Sequence, residues 1–109
     1  MDDTLKPQVQ KLLRELLKHQ ARMRKEVLIN YKSLCERAGV PFNRATIGHF
    51  LYDVADWCER KGLPPINALV VQKASGNPGF NYSNAPGGRR SWAETVGECL
   101  TSKKYPKKV

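Results

Sequence analysis

Apolar residues in the first quarter of the chain fall at Val9, Leu12, Leu13, Leu16 and Leu17, a spacing that gathers them on one side of a helix. It predicts a helix from Thr4 to Met23, with Pro7 in the first turn, where its missing N–H has no partner anyway. The other side carries Lys11, Arg14, Lys18, Arg22 and Arg24. A basic amphipathic helix can lie on a membrane, but an apolar side without aromatics fits packing on the domain itself. Val27-Leu28-Ile29-Asn30-Tyr31 is short and rich in strand-forming side chains, and predicts a strand. Ser33 to Ala38 predicts a short helix with Leu34 and Ala38 inward and Gly39 at its C-cap. Pro41 pushes Val40 out of the helical region and makes a tight connection. Asn43 then caps the longest helix, Arg44 to about Lys61, which ends at Gly62 and Pro64-Pro65. Ile47, Phe50, Leu51, Val54, Ala55 and Cys58 form its core stripe.

From Ile66 the helical period stops. Ile66 to Lys73, with Ala68-Leu69-Val70-Val71, predicts a strand, and Ser75-Gly76-Asn77-Pro78-Gly79 a turn. Phe80-Asn81-Tyr82 would pair back as a hairpin. A Gly/Pro loop from Asn84 to Arg90 precedes Ser91-Trp92-Ala93-Glu94, a capping-box pattern that opens a last helix to about Leu100. The order predicts a mainly α fold with a small β-hairpin, a single winged helix-turn-helix-like domain over residues 1–102. Residues 103–109, with four lysines and no packing face, predict a basic disordered tail.

Composition sharpens this picture. At 109 residues the chain fits one domain, and 40% hydrophobic content argues for a folded one. Nothing approaches the roughly 18 apolar residues of a membrane helix, and the acidic start Met1-Asp2-Asp3 is not that of a secretory signal. Cys35, Cys58 and Cys99 are odd in number and show no Cys-x-x-Cys spacing, as in a reduced cytoplasmic protein. His19 and His49 stand far apart, so no metal site is expected. Nineteen basic against ten acidic residues give a net charge of +9, which favours a polyanionic partner through counterion release.

In a helix-turn-helix the second helix directs its N-terminal residues into the major groove and the wing reaches a nearby phosphate. Here that helix offers Asn43, Arg44, Thr46 and His49, and Asn and Arg suit bidentate contacts to base edges. Farther along, Asp53, Asp56 and Glu59 make it acidic and unfit for phosphates.

The segment Ile29-Asn30-Tyr31-Lys32-Ser33-Leu34-Cys35-Glu36-Arg37-Ala38-Gly39 resembles the Val-Ser-Tyr-Gly-Glu-Leu-Ala…Gly segment of the alkylguanine-DNA alkyltransferase C-terminal domain. Arg44-Ala45-Thr46-Ile47-Gly48 is similar to that family's Arg-Ala-Val-Gly, which opens the recognition helix with an arginine that fills the gap left by a flipped base. Asn81-Tyr82-Ser83 with Gly87-Gly88 resembles its Gly-x-Tyr-Ser-Gly-Gly loop, and Trp92 to Leu100 its closing helix. The similarity spans about Val27 to Leu100 with motif order preserved. It implies a DNA-binding surface that includes Tyr31 and Tyr82, to which Lys32, Lys73, Arg89 and Arg90 add positive charge.

The departures bear on chemistry. The family's nucleophile lies in a Pro-Cys-His-Arg-Val motif; here the region reads Pro65-Ile66-Asn67-Ala68-Leu69-Val70-Val71, without Cys or His. The arginine motif carries an extra residue, and the long helix omits the family's Asn-Pro break. Alkyl transfer is therefore excluded at this stage, and the chain is closer to alkyltransferase-like proteins, which keep the fold and lose the reaction. The expectation is a non-enzymatic protein without cofactor that binds duplex DNA, with no membrane partner. The alternative is a small inhibitor or adaptor whose basic surface docks on a protein of DNA processing.

Overall fold

The computed structural model describes residues 5–22, 27–73, 75–77 and 91–106. Helix α1 covers Pro7–Ala21. It starts later than the sequence predicts because Lys6, preceding a proline, is extended at φ −62°, ψ 149°. Its stripe of Val9, Leu12, Leu13 and Leu16 is fully buried. Strand β1 is only Ile29–Asn30, because the Asn30 Oδ1 accepts the Ser33 N–H at 2.8 Å and turns the backbone into helix α2, Tyr31–Ala38. The expected strand thus loses Tyr31 to the helix.

Gly39 ends α2 in the left-handed region (φ 72°), with Val40 N–H on the Cys35 carbonyl and Gly39 N–H on that of Glu36. Helix α3, Arg44–Arg60, closes with the same paired bonds, Leu63 N–H to Cys58 and Gly62 N–H to Glu59, with Gly62 at φ 68°. One local device therefore punctuates both helices.

The strand expected over Ile66 to Lys73 is corrected. Ile66–Leu69 is a 3₁₀ turn, and only Val70–Val71 is extended, as β2. Asn67 and Ala68 favour strands poorly, and Pro65 starts the turn by accepting the Ala68 N–H at 3.0 Å. β2 pairs with β1 in parallel, Ile29 beside Val70 and Asn30 beside Val71. The hairpin's expected second half, Phe80 to Tyr82, lies outside the described residues.

Helix α4 is Trp92–Thr101. Ser91 stands at its cap position, yet its side chain makes no capping bond; the Thr95 hydroxyl instead donates to the Ser91 carbonyl at 2.9 Å. The expected capping box is absent here. α1 packs across α2, α3 and the 3₁₀ turn, and α4 packs on that same turn. The Gln20 amide donates to the carbonyls of Cys99 and Ser102 at 3.1 and 3.2 Å, tying the end of α1 to the end of α4. The expectation of a tail without a packing face fails at Tyr105, whose ring lies on the core and whose hydroxyl donates to the Pro64 carbonyl. The fold is thus mainly helical with a small two-stranded sheet, and among the described residues no helix is long and apolar enough to cross a membrane.

Candidate nucleic-acid interface

The start of α3 is built by its neighbours. The Gly39 turn releases Val40, which is buried, and Phe42, which stands 43% exposed beside the helix start. Asn43 then caps α3, its Oδ1 accepting the Ala45 N–H at 2.8 Å. That bond takes one of the two lone pairs of the oxygen a bidentate adenine contact would use and fixes the amide as a cap. Arg44, the first helical residue, is exposed, and so is His49. Thr46 is half-buried and its hydroxyl turns back to the Asn43 carbonyl at 3.4 Å. The positive end of the helix dipole adds to the Arg44 charge at this end.

The polar side of α3 also carries Tyr52, which the motif comparison passes over. Ala45, His49 and Tyr52 recur at i, i+4 and i+7 opposite the buried stripe of Ile47, Leu51 and Val54. Tyr52 is 45% exposed, a large aromatic on the third turn of the helix. Its spacing from Ala45, in antiphase with the core residues, was the signal available in the sequence. Beyond it the helix turns acidic with Asp53, Asp56 and Glu59, and Asp56 pairs with Arg60 at 3.1 Å in a solvated i, i+4 bridge.

The parallel register pairs Asn30 with Val71; Lys32 stands two residues after β1, in the first turn of α2, and Lys73 two residues after β2. Both lysines are exposed. Tyr31 is half-buried against the core, so most of its ring serves packing. Lys32 and Lys73 each lie two residues beyond a strand of the sheet, while Asn43, Arg44, Thr46 and His49 share the cap and first two turns of α3. Tyr82, Arg89 and Arg90 lie outside the described residues.

The thiols sit elsewhere, inside the core. All three are free and buried. Burial pushes the Cys58 thiol up to about 12, a backbone bond from Ile66 offsetting part of the effect and the neighbouring Cys99 adding to it. Cys35 and Cys99 are raised by the same desolvation. A thiol held neutral is a poor nucleophile. In the region where the resemblance would call for the Pro-Cys-His-Arg-Val motif, the 3₁₀ turn holds Asn67, 4% exposed, whose Oδ1 has no hydrogen-bond partner among the described residues. Trp92 anchors α4 to this turn by donating Nε1–H to the Ala68 carbonyl at 2.8 Å. Among the described residues no three His, Cys, Asp or Glu side chains group closely enough to hold a metal ion. Comparison with known proteins finds no matching family model, curated protein or solved structure.

Proposed function

We propose that this chain is a non-catalytic duplex DNA-binding protein of winged helix-turn-helix type, similar in design to the alkyltransferase-like proteins, acting in lesion or shape recognition or in regulation. The observation that carries the proposal is the start of α3, where Arg44 stands exposed directly after the cap Asn43, at the positive end of a helix that follows a short helix and a glycine turn. That order of elements is the one in which a helix-turn-helix delivers side chains to base edges, and it supports the reading. The net charge of +9 and the pair Lys32 and Lys73 supply the phosphate attraction such a protein needs. The falling charge along α3, from Arg44 to Asp53, Asp56 and Glu59, supports docking end-on through the first turns. The buried, neutral thiols support a role without covalent transfer. The wing belongs to this proposal, with Lys73 and the sequence after it as its source.

A second reading, an inhibitor or adaptor docking on a protein of DNA processing, is favoured by Phe42 and Tyr52, among the described residues the aromatic side chains more than two-fifths exposed. Titration of a fluorescent duplex at several salt concentrations separates the two. Binding with a steep salt slope that weakens on Arg44→Ala supports the DNA reading. Flat titrations at all salt concentrations would overturn it and leave the protein-binding role.

A further inference from the structure

Helix α1 keeps none of its apolar side for a partner. Val9, Leu12, Leu13 and Leu16 are fully buried and Leu17 nearly so. At about 100° per residue, Lys11, Lys18 and Arg22 fall within a band of about 40° on the side opposite that arc. All three are exposed, and none forms an ion pair among the described residues. They make a straight row, with steps along the axis of about 10 and 6 Å at a rise of about 1.5 Å per residue. Arg14 stands exposed beside the row, and Glu15 is the sole carboxylate on the helix and is half-buried.

The row and the start of α3 cannot serve one contact. α1 packs directly against α3, and each turns its buried stripe toward the shared core. The Lys11–Lys18–Arg22 row and the Ala45–His49–Tyr52 face therefore look away from each other. A straight duplex lying on one does not reach the other.

We infer that the α1 row is a second nucleic-acid surface, one that holds the sugar–phosphate backbone of a duplex segment other than the one met by α3, so that one molecule bridges two segments. The chemistry fits the occupant. Three cations in line, without donors arranged for base edges, match a row of phosphates and carry no sequence preference. A lipid surface fits less well, because interfacial helices insert an apolar face and this one is fully occupied by the core. The inference rests on the DNA-binding reading above.

The test uses beads carrying one duplex and a second, labelled duplex in solution. Three full-length proteins are compared: the unaltered chain, the triple variant Lys11→Gln, Lys18→Gln, Arg22→Gln, and a charge-matched control, Lys61→Gln, Lys103→Gln, Lys104→Gln. The charge-keeping variant Lys11→Arg, Lys18→Arg, Arg22→Lys guards against a folding artefact. The unaltered, control and charge-keeping proteins should retain the labelled duplex on the beads. The row variant should bind the bead duplex and lose the labelled one. If the unaltered protein coats the beads yet never captures the second duplex, or the row and control variants lose it equally, bridging by α1 is wrong and the α3 reading stands. If it does not coat the beads at all, both readings fall. Row-dependent sedimentation with phosphatidylserine vesicles, without duplex capture, would assign the row to a membrane surface and overturn the inference.

Discussion

Tyr105 donates its hydroxyl proton to the carbonyl of Pro64, joining the segment after α4 to the chain that follows α3. The Cys99 sulfur lies 3.4 Å from the same hydroxyl, and Cys99 itself donates to the Pro65 carbonyl at 3.3 Å. Two successive proline carbonyls, that of Pro65 already taking the Ala68 N–H of the 3₁₀ turn, thus find donors from one side.

Tyr105→Phe leaves the Pro64 carbonyl without that donor while keeping the ring. The expected cost is about 1–2 kcal/mol in urea denaturation. At roughly 4–8 °C per kcal/mol for a domain near this size, the melting temperature should fall visibly. Tyr105→Ala should cost more, since the ring packs on the core. A melting curve unchanged by both would show that the tail adds nothing to the fold.

Arg44→Ala should weaken duplex binding by about 1–3 kcal/mol if the guanidinium reaches a base edge. Stability should hardly change, because the side chain is exposed. Lys61→Ala, at the far end of α3, is the control and should have little effect on affinity. Equal losses in anisotropy titrations would mean diffuse attraction in place of a recognition helix.

Asn43→Ala should cost about 1 kcal/mol of stability through loss of the cap bond to Ala45. Asn43→Ser should restore most of it, because serine caps comparably. Duplex affinity measured on the serine variant then isolates the amide. Unchanged affinity assigns Asn43 to capping alone, and a loss on the scale of Arg44→Ala would assign it a base contact.

The Cys58 thiol is raised from 9.0 to about 12 in the folded chain by burial. Its contribution is fully present below pH 9, where both states hold the proton, and is lost as pH rises through that window to about 12. There the unfolded chain is ionised and the folded one is not, so stability falls by up to about 1.4 kcal/mol per pH unit from this group. Cys58→Ala should show a shallower alkaline limb than the unaltered chain in urea titrations at stepped pH. Parallel limbs would mean the thiol ionises in place.

Helices were legible in the sequence wherever burial was one-sided. The stripes of α1 and α3 and the glycine stops at Gly39 and Gly62 carry their own periodicity and backbone preference, so local pattern and packing agree. Short elements were not, because single bonds decide them. Asn30 is compatible with a strand until its side chain takes the Ser33 N–H, and that one bond moves Tyr31 into a helix. Ile66–Leu69 reads as apolar in either conformation, and the distant residues that hold this stretch, Trp92 on Ala68 and Cys99 on Pro65, are invisible to a local window. Tyr105 was hidden among lysines, its ring the one feature of the tail able to pack. At the candidate site, Arg44 and the cap Asn43 were readable from motif order, whereas Tyr52 emerges only when the exposed side of α3 is laid out as a surface.

The pairing of Ile29 with Val70 fastens the two ends of a loop that contains α2, α3 and the 3₁₀ turn. Closing such a loop costs on the order of 3 kcal/mol of chain entropy for about 40 residues, before constant terms. Two residue pairs of parallel sheet do not offset that alone. The helices must already have gathered against α1 before the strands can meet, which puts the sheet last in the order of assembly and first in the order of opening. Hydrogen exchange should accordingly show the amides of β1 and β2 exchanging through a lower-energy opening than those around Leu12 and Val54, and equal protection would mean that sheet and helices form together. Lys32 and Lys73 each follow a paired strand by two residues, so the distance between these two charges is fixed by the closed loop and is set free when the loop opens.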